Sequence, residues 1–104
     1  MATYDFSALE SKFAEIVAMM PDPFDSHEFL LALAEHNQTE YVKALYAYKD
    51  SVNKENPSPF QVVHMQVMKR LNKHPELVKE IRKGVPSKDI FGNPQTCSEW
   101  QKVK

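Results

Sequence analysis

The chain has 104 residues, of which 42% are hydrophobic and 26% charged, and its formal net charge is −1 at pH 7. Domains commonly take about 100–150 residues and this composition is typical of soluble globular proteins, so we expect one domain over residues 1–104 and neither a disordered chain nor a membrane protein. No stretch approaches the roughly 18 consecutive apolar residues of a membrane-spanning helix, and Met1–Leu9 lacks the basic residue and apolar run of an export signal.

The first predicted element is a helix over Asp5–Met20. It is indicated by apolar residues that recur at the spacing of one helix face. These residues are Phe6, Leu9, Phe13, Ile16, Val17 and Met20. Pro21 and Pro23 should end the helix, because proline lacks a backbone N–H and disfavours helical geometry in the residue before it.

Two more helices are predicted from capping signals. Asp25 with Glu28 three positions later fits a capping box, in which each side chain accepts a hydrogen bond from the other residue's backbone N–H. Asn37 and Glu40 repeat this spacing, so a third helix is expected over Gln38–Val52. The alternative is that the second and third helices form one kinked rod.

Proline indicates the starts of the next two predicted helices. Ser58 followed by Pro59 predicts a fourth helix, since proline at the first helical position loses no hydrogen bond. Its apolar face is expected to comprise Phe60, Val63, Val67 and Leu71. Pro75 opens a short fifth helix through Lys83, and Gly84 follows it where a left-handed cap is easily adopted.

The C-terminal segment is predicted as two brief helices joined by a turn at Gly92 and Asn93. The first helix covers Lys88–Phe91, and the second begins at Pro94. The second carries three inward-facing residues at three-residue intervals, namely Cys97, Trp100 and Val103. The sequence therefore predicts an all-α fold, a compact orthogonal bundle of five to seven short helices with a C-terminal helical hairpin.

The sixteen residues Val85–Trp100, with the sequence VPSKDIFGNPQTCSEW, resemble a helix-turn-helix unit. In that family the second helix enters the major groove of DNA. The resemblance implies base contacts from the polar residues Asn93, Gln95, Thr96 and Ser98, and phosphate contacts from Lys88, Lys102 and Lys104. The alternative is that this segment only closes the core as a helical hairpin.

Charge divides the chain into an acidic half, residues 1–50, and a basic half, residues 51–104. The acidic half has nine acidic and three basic residues, whereas the basic half has ten basic and five acidic ones. Arg82 and Lys83 belong to a basic group that brackets Pro75 and could contact an anionic partner. The alternatives are solvated helix faces, cations that offset helix dipoles, attraction between two oppositely charged faces of the same domain, or the acidic half of one subunit meeting the basic half of another.

Catalytic and metal-binding signatures are absent from the sequence as motifs. The four histidines do not form the H-E-x-x-H pair, and the single cysteine, Cys97, cannot build a thiolate zinc site by itself. One cysteine also cannot close an internal disulfide, which favours a cytoplasmic protein. We therefore expect no cofactor, no metal and no enzymatic activity.

These observations favour a small cytoplasmic binding module. The leading hypothesis is a helix-turn-helix-like nucleic-acid-binding or accessory regulatory protein that uses its basic half. The alternative is a protein-interaction or structural helical domain with no role on nucleic acid, which could form a homodimer. A small-molecule enzyme is the third option.

Overall fold

The computed structural model describes residues 4–50 and 58–103. The prediction of an all-α bundle is wrong, because the described residues include a β-sheet. The described part is an α+β fold of helices packed with one three-stranded antiparallel sheet. Its elements in chain order are α1 (Ser7–Glu10), α2 (Phe13–Met19), β1 (Phe24–Asp25), α3 (Ser26–His36), α4 (Gln38–Ala47), α5 (Pro59–Leu71), β2 (Val78–Lys88) and β3 (Pro94–Lys102).

The first predicted helix is present as two short helices, α1 and α2, separated at Ser11 and Lys12. Its apolar face was correctly identified, because five of its six residues are buried in the core, namely Phe6, Leu9, Phe13, Ile16 and Val17. The chain turns to an extended conformation at Met20, next to Pro21, as expected from the restriction that proline places on the preceding residue.

The predicted capping box at the start of α3 is confirmed. Asp25 Oδ1 accepts from the Glu28 backbone N–H at 2.8 Å, and Glu28 Oε1 accepts from the Asp25 N–H at 3.0 Å. The second and third predicted helices are the separate helices α3 and α4 and not one kinked rod, since Asn37 between them has non-helical dihedrals. The predicted third helix extends to Val52, which lies outside the described residues.

The signal at Ser58 and Pro59 correctly predicts α5. Ser58 Oγ accepts from the Gln61 backbone N–H at 3.3 Å, with Pro59 as the first helical residue. The buried face of α5 comprises Val62, Val63, Val67 and Leu71, whereas Phe60 is only half-buried.

The predicted fifth helix and both C-terminal helices are wrong, because these segments form the β2–β3 hairpin. β3 is the middle strand, with β1 on one side and β2 on the other. Gly84 does adopt the left-handed conformation expected of it, with φ +66°, but it does so where β2 bulges and not at a helix end. The same glycine signal is compatible with both elements.

Trp100 is the residue that joins the sheet to the helices. It lies opposite Phe24 in the β1–β3 pair and is 3% exposed. Its indole Nε1 donates to Ser26 Oγ at 3.0 Å, and the Ser26 hydroxyl donates to the backbone oxygen of Ser98 at 3.3 Å. Burial of a large ring with its N–H satisfied outweighs the weak local helix signals of the segment.

Within residues 4–50 and 58–103, no helix is long and apolar enough to cross a membrane. This finding agrees with the expectation drawn from the sequence.

Candidate functional site

The segment that resembles a helix-turn-helix unit forms a strand, a turn and a second strand. Asn93 lies in the turn, Lys88 ends β2, and Gln95, Thr96 and Ser98 lie on β3. The two predicted helices of this segment are therefore wrong, the predicted turn at Asn93 is present, and contact of these residues with nucleic acid stays a prediction.

The outer part of the hairpin has two different faces. Residues directly opposite each other in an antiparallel pair point to the same side, and the side alternates along the strand. Lys88 and Thr96 share an exposed face with the prolines opposite them. Ser87, Gln95 and Cys97 share the other face, which turns toward the start of α3. The predicted base-contacting residues Gln95 and Thr96 therefore lie on opposite faces.

Three of the predicted contact residues are engaged within the protein. Arg82 Nη2 lies 2.7 Å from Glu99 Oε1, and Ser98 Oγ donates to a Glu80 carboxylate oxygen. Lys102 Nζ donates to the backbone oxygens at the end of α2, at 3.0 Å and 3.3 Å. Lys104 lies outside the described residues.

Several exposed cations of the basic half lie on β2, an edge strand of the sheet, whereas the exposed Lys69 and Lys73 lie on α5 and just after it. Lys79, Lys83 and Lys88, here called the edge-strand lysines, are all exposed. Lys83 Nζ lies 3.9 Å from Glu80 Oε1, but this ion pair contributes little to stability because the Lys83 side chain is 82% exposed. Lys79 and Lys88 form no ion pair with another described residue. Over residues 58–103 the chain has eight basic and four acidic residues.

The turn of the hairpin is held against the start of α5. Asp89 Oδ1 accepts from the backbone N–H groups of Asn93 at 3.0 Å and Phe91 at 2.9 Å. The hydrogen bonds from Asn93 and Phe91 keep the pKa of the Asp89 carboxyl below its usual value. The Phe91 ring packs edge-on against Phe60, with the ring centres 4.9 Å apart.

This contact closes one side of a cleft of about 370 Å³ between α3, α5 and the hairpin. Its walls include Leu30, Phe60 and Phe91, and its polar groups include His27, His64 and Asp89. Six of its ten lining residues are polar, so several hydrogen-bonding groups converge on a small apolar surface, as they do in many small-ligand sites.

His64 is the polar group of the cleft that is most strongly altered by its surroundings. Burial lowers the pKa of its imidazole to about 4, and the nearby His27 adds to this effect. The Tyr41 hydroxyl lies 2.6 Å from His64 Nε2 and the two rings stack. The His64 ring is therefore neutral at pH 7.

A second group of polar side chains adjoins the cleft at His27. One donor atom each from Asp25, His27 and Cys97 lies within 4.8 Å of the other two, and all three residues are half-buried. Ser87 Oγ donates to Asp25 Oδ2 at 2.9 Å and lies 3.1 Å from His27 Nδ1. Sequence spacing could not reveal this cluster, because Cys97 lies seventy positions beyond His27.

Comparisons of the chain with protein-family models, with curated proteins and with solved structures find no match. A function for the chain therefore has to be inferred from its surfaces and side-chain clusters.

Proposed function

We propose that the protein is a non-enzymatic binding module that contacts the phosphate backbone of nucleic acid through the edge-strand lysines. The single observation that carries this proposal is the alignment of Lys79, Lys83 and Lys88 along one exposed strand. Nine residue steps separate the first from the last, which corresponds to at most about 30 Å of extended chain. This length is enough to reach several phosphates of a duplex.

Thr96 and Asn93 add polar groups to the proposed surface. Both are exposed, and Thr96 shares the face of Lys88. A two-stranded β-ribbon fits the major groove of DNA as a helix does, and phosphate contacts set its position there. Gln95 lies on the cleft side and is not part of this surface.

The same lysines have a competing structural explanation. An edge strand exposes unpaired backbone N–H and C=O groups, and charged side chains prevent it from pairing with the edge of another sheet. In that case the lysines would keep the protein monomeric and would not bind a ligand. The two roles predict different results when the lysines are neutralised: the first predicts weaker binding of a duplex, and the second predicts unchanged binding.

Fluorescence anisotropy of a mixed-sequence duplex tests the proposal. Three phosphate contacts give a salt slope of about −2.7, so affinity should fall about 40-fold between about 50 and 200 mM salt. A variant in which Lys79, Lys83 and Lys88 are replaced by glutamine should lose this slope. The matched control replaces three exposed lysines of the acidic half, Lys12, Lys43 and Lys49, with the same change in net charge.

Binding that both triple variants weaken equally would reflect net charge alone and would contradict the proposal. Absence of binding by the unmodified protein at both salt concentrations would also overturn it. If the edge-strand variant instead forms oligomers while duplex binding is unchanged, the lysines protect the edge.

A second candidate function is homodimerisation through α4. Val42 and Tyr46 lie one helical turn apart, and at 60% and 71% they are the two most exposed large hydrophobic side chains of the described residues. Light scattering should then give about twice 12.0 kDa at micromolar concentration. Val42→Lys with Tyr46→Lys should restore the monomer, whereas Ile81→Lys on β2 should not. A monomeric unmodified protein would exclude this candidate.

A further inference from the structure

Three elements meet where β1 ends. β1 continues directly into α3, so Asp25 and His27 lie on either side of the junction. Asp25 is opposite Glu99 in the β1–β3 pair, and Cys97 precedes Glu99 by two residues on β3. The middle strand thereby places the only cysteine of the chain beside the first turn of α3.

The three side chains supply a carboxylate oxygen, an imidazole nitrogen and a sulfur, all within 4.8 Å of one another. Tetrahedral zinc has bonds of about 2.0–2.3 Å, which places its ligand atoms about 3.5 Å apart. A contraction of roughly 1 Å at the longest separation therefore closes the cluster around an ion, a change within the reach of side-chain rotation.

The chemistry of the donors selects the kind of ion. Ca²⁺ and Mg²⁺ require oxygen ligands, whereas a thiolate with an imidazole suits Zn²⁺ and its neighbours in the transition series. Three protein ligands leave the fourth position of a tetrahedral ion open to water or to another ligand. His27 also lines the cleft, so an ion held by this cluster lies beside it.

We propose that Asp25, His27 and Cys97 bind Zn²⁺ or a similar divalent transition-metal ion. Ser87 positions two of the ligands, since its hydroxyl donates to Asp25 Oδ2 at 2.9 Å and lies 3.1 Å from His27 Nδ1. Supporting hydrogen bonds of this kind are typical of metal sites and orient the ligands. The proposal is independent of the edge-strand lysines.

Asp25 has a structural role that any test must separate from metal binding. Its Oδ1 accepts the backbone N–H of Glu28 and caps α3. Asparagine caps helices as well as aspartate does, but its neutral amide oxygen is a much weaker ligand for Zn²⁺ than a carboxylate. Asp25→Asn should therefore keep the fold and weaken the site, whereas Asp25→Ala would disturb both.

Cobalt titration tests the proposal directly. Co²⁺ takes the same ligands as Zn²⁺, and its bond to a thiolate gives a charge-transfer band in the near ultraviolet. Titration of the reduced protein with Co²⁺ alone should produce this band at one equivalent, and Zn²⁺ should abolish it by displacement. Cys97→Ser should remove the band entirely, since the chain has no other cysteine.

The variants Asp25→Asn and His27→Gln should each weaken Co²⁺ binding at least about ten-fold, with unchanged circular dichroism. His36→Gln is the matched control, because His36 is an exposed histidine at the other end of α3. It should leave the affinity unchanged.

A protein that shows no thiolate band at millimolar Co²⁺ would overturn the proposal. A band that persists with unchanged affinity in both Asp25→Asn and His27→Gln would overturn it as well, because the cysteine would then be binding cobalt by itself.

Discussion

His64 should make the protein less stable as the pH falls from 7 to 5. Its folded-state pKa of about 4 lies below the value of about 6.5 expected in the unfolded chain. Between these two values the unfolded state binds a proton that the folded state does not, so the free energy of unfolding decreases as pH falls. The effect begins near pH 6.5 and is complete below pH 4.

The magnitude follows from the size of the shift. At pH 5 the unfolded imidazole is almost fully protonated and the folded one almost neutral, which corresponds to a loss of about 2 kcal/mol relative to pH 7. The structural cause is burial among Tyr41, Phe60 and the wall of the cleft. Asp89 opposes the shift by favouring the charged ring, but it is the smallest of the influences on this pKa.

Urea unfolding at pH 7, 6 and 5 measures this loss, with the buried Trp100 as the fluorescent probe. His64→Gln removes the titrating group, so the difference between the unmodified protein and this variant isolates the histidine from the carboxylates. His74 is the matched control. Hydrogen bonds to Glu10 and Glu76 raise its pKa, so its contribution is present at low pH and is lost as pH rises through the folded pKa.

A difference between the unmodified protein and His64→Gln that stays constant from pH 7 to pH 5 would refute the reasoning. It would mean that the ring titrates alike in the folded and unfolded states and is therefore solvated in the folded protein.

Three further predictions concern stability. Trp100→Phe should lower the free energy of unfolding, measured in urea, by about 2–4 kcal/mol, because it leaves a cavity and removes the hydrogen bond to Ser26. A decrease of less than about 1 kcal/mol would contradict the burial of the indole. Gly84→Ala should cost about 1–2 kcal/mol through its φ of +66° alone, since the added methyl meets no atom within 4 Å, and a neutral result would show that this conformation is not required. Phe91→Ala should speed amide hydrogen exchange in the hairpin turn, because the ring packs on Phe60, and should change global stability little, because the ring is 59% exposed. Unchanged exchange would show that this contact does not hold the turn.

The helical part of the fold was predictable because its signals are local. The capping box at Asp25 and the cap at Ser58 each involve residues three positions apart, and both are present in the structure. Helical periodicity likewise identified the buried face of the first two helices. A single sequence contains all the information that such signals require.

The sheet was missed because its causes are distant in sequence. Trp100 is buried by Phe24 and Ser26, more than seventy positions away, and its spacing from Cys97 fits a helix equally well. Gly84 was correctly expected to have a positive φ, but that property does not distinguish a helix cap from a β-bulge. The cluster of Asp25, His27 and Cys97 was missed for the same reason, since only the β1–β3 pairing brings its members together.

The pairing of β1 with β3 also bears on how the chain folds. β2 and β3 are joined by a short turn and can pair early, whereas Phe24 and Trp100 close a loop of about 75 residues. β1 has only two residues, so its pairing with β3 contributes no stability until the hairpin and the helices have formed. Substitutions in the β1–β3 pair should therefore speed unfolding far more than they slow folding. The pairing of these strands then sets how long a molecule stays in the native state.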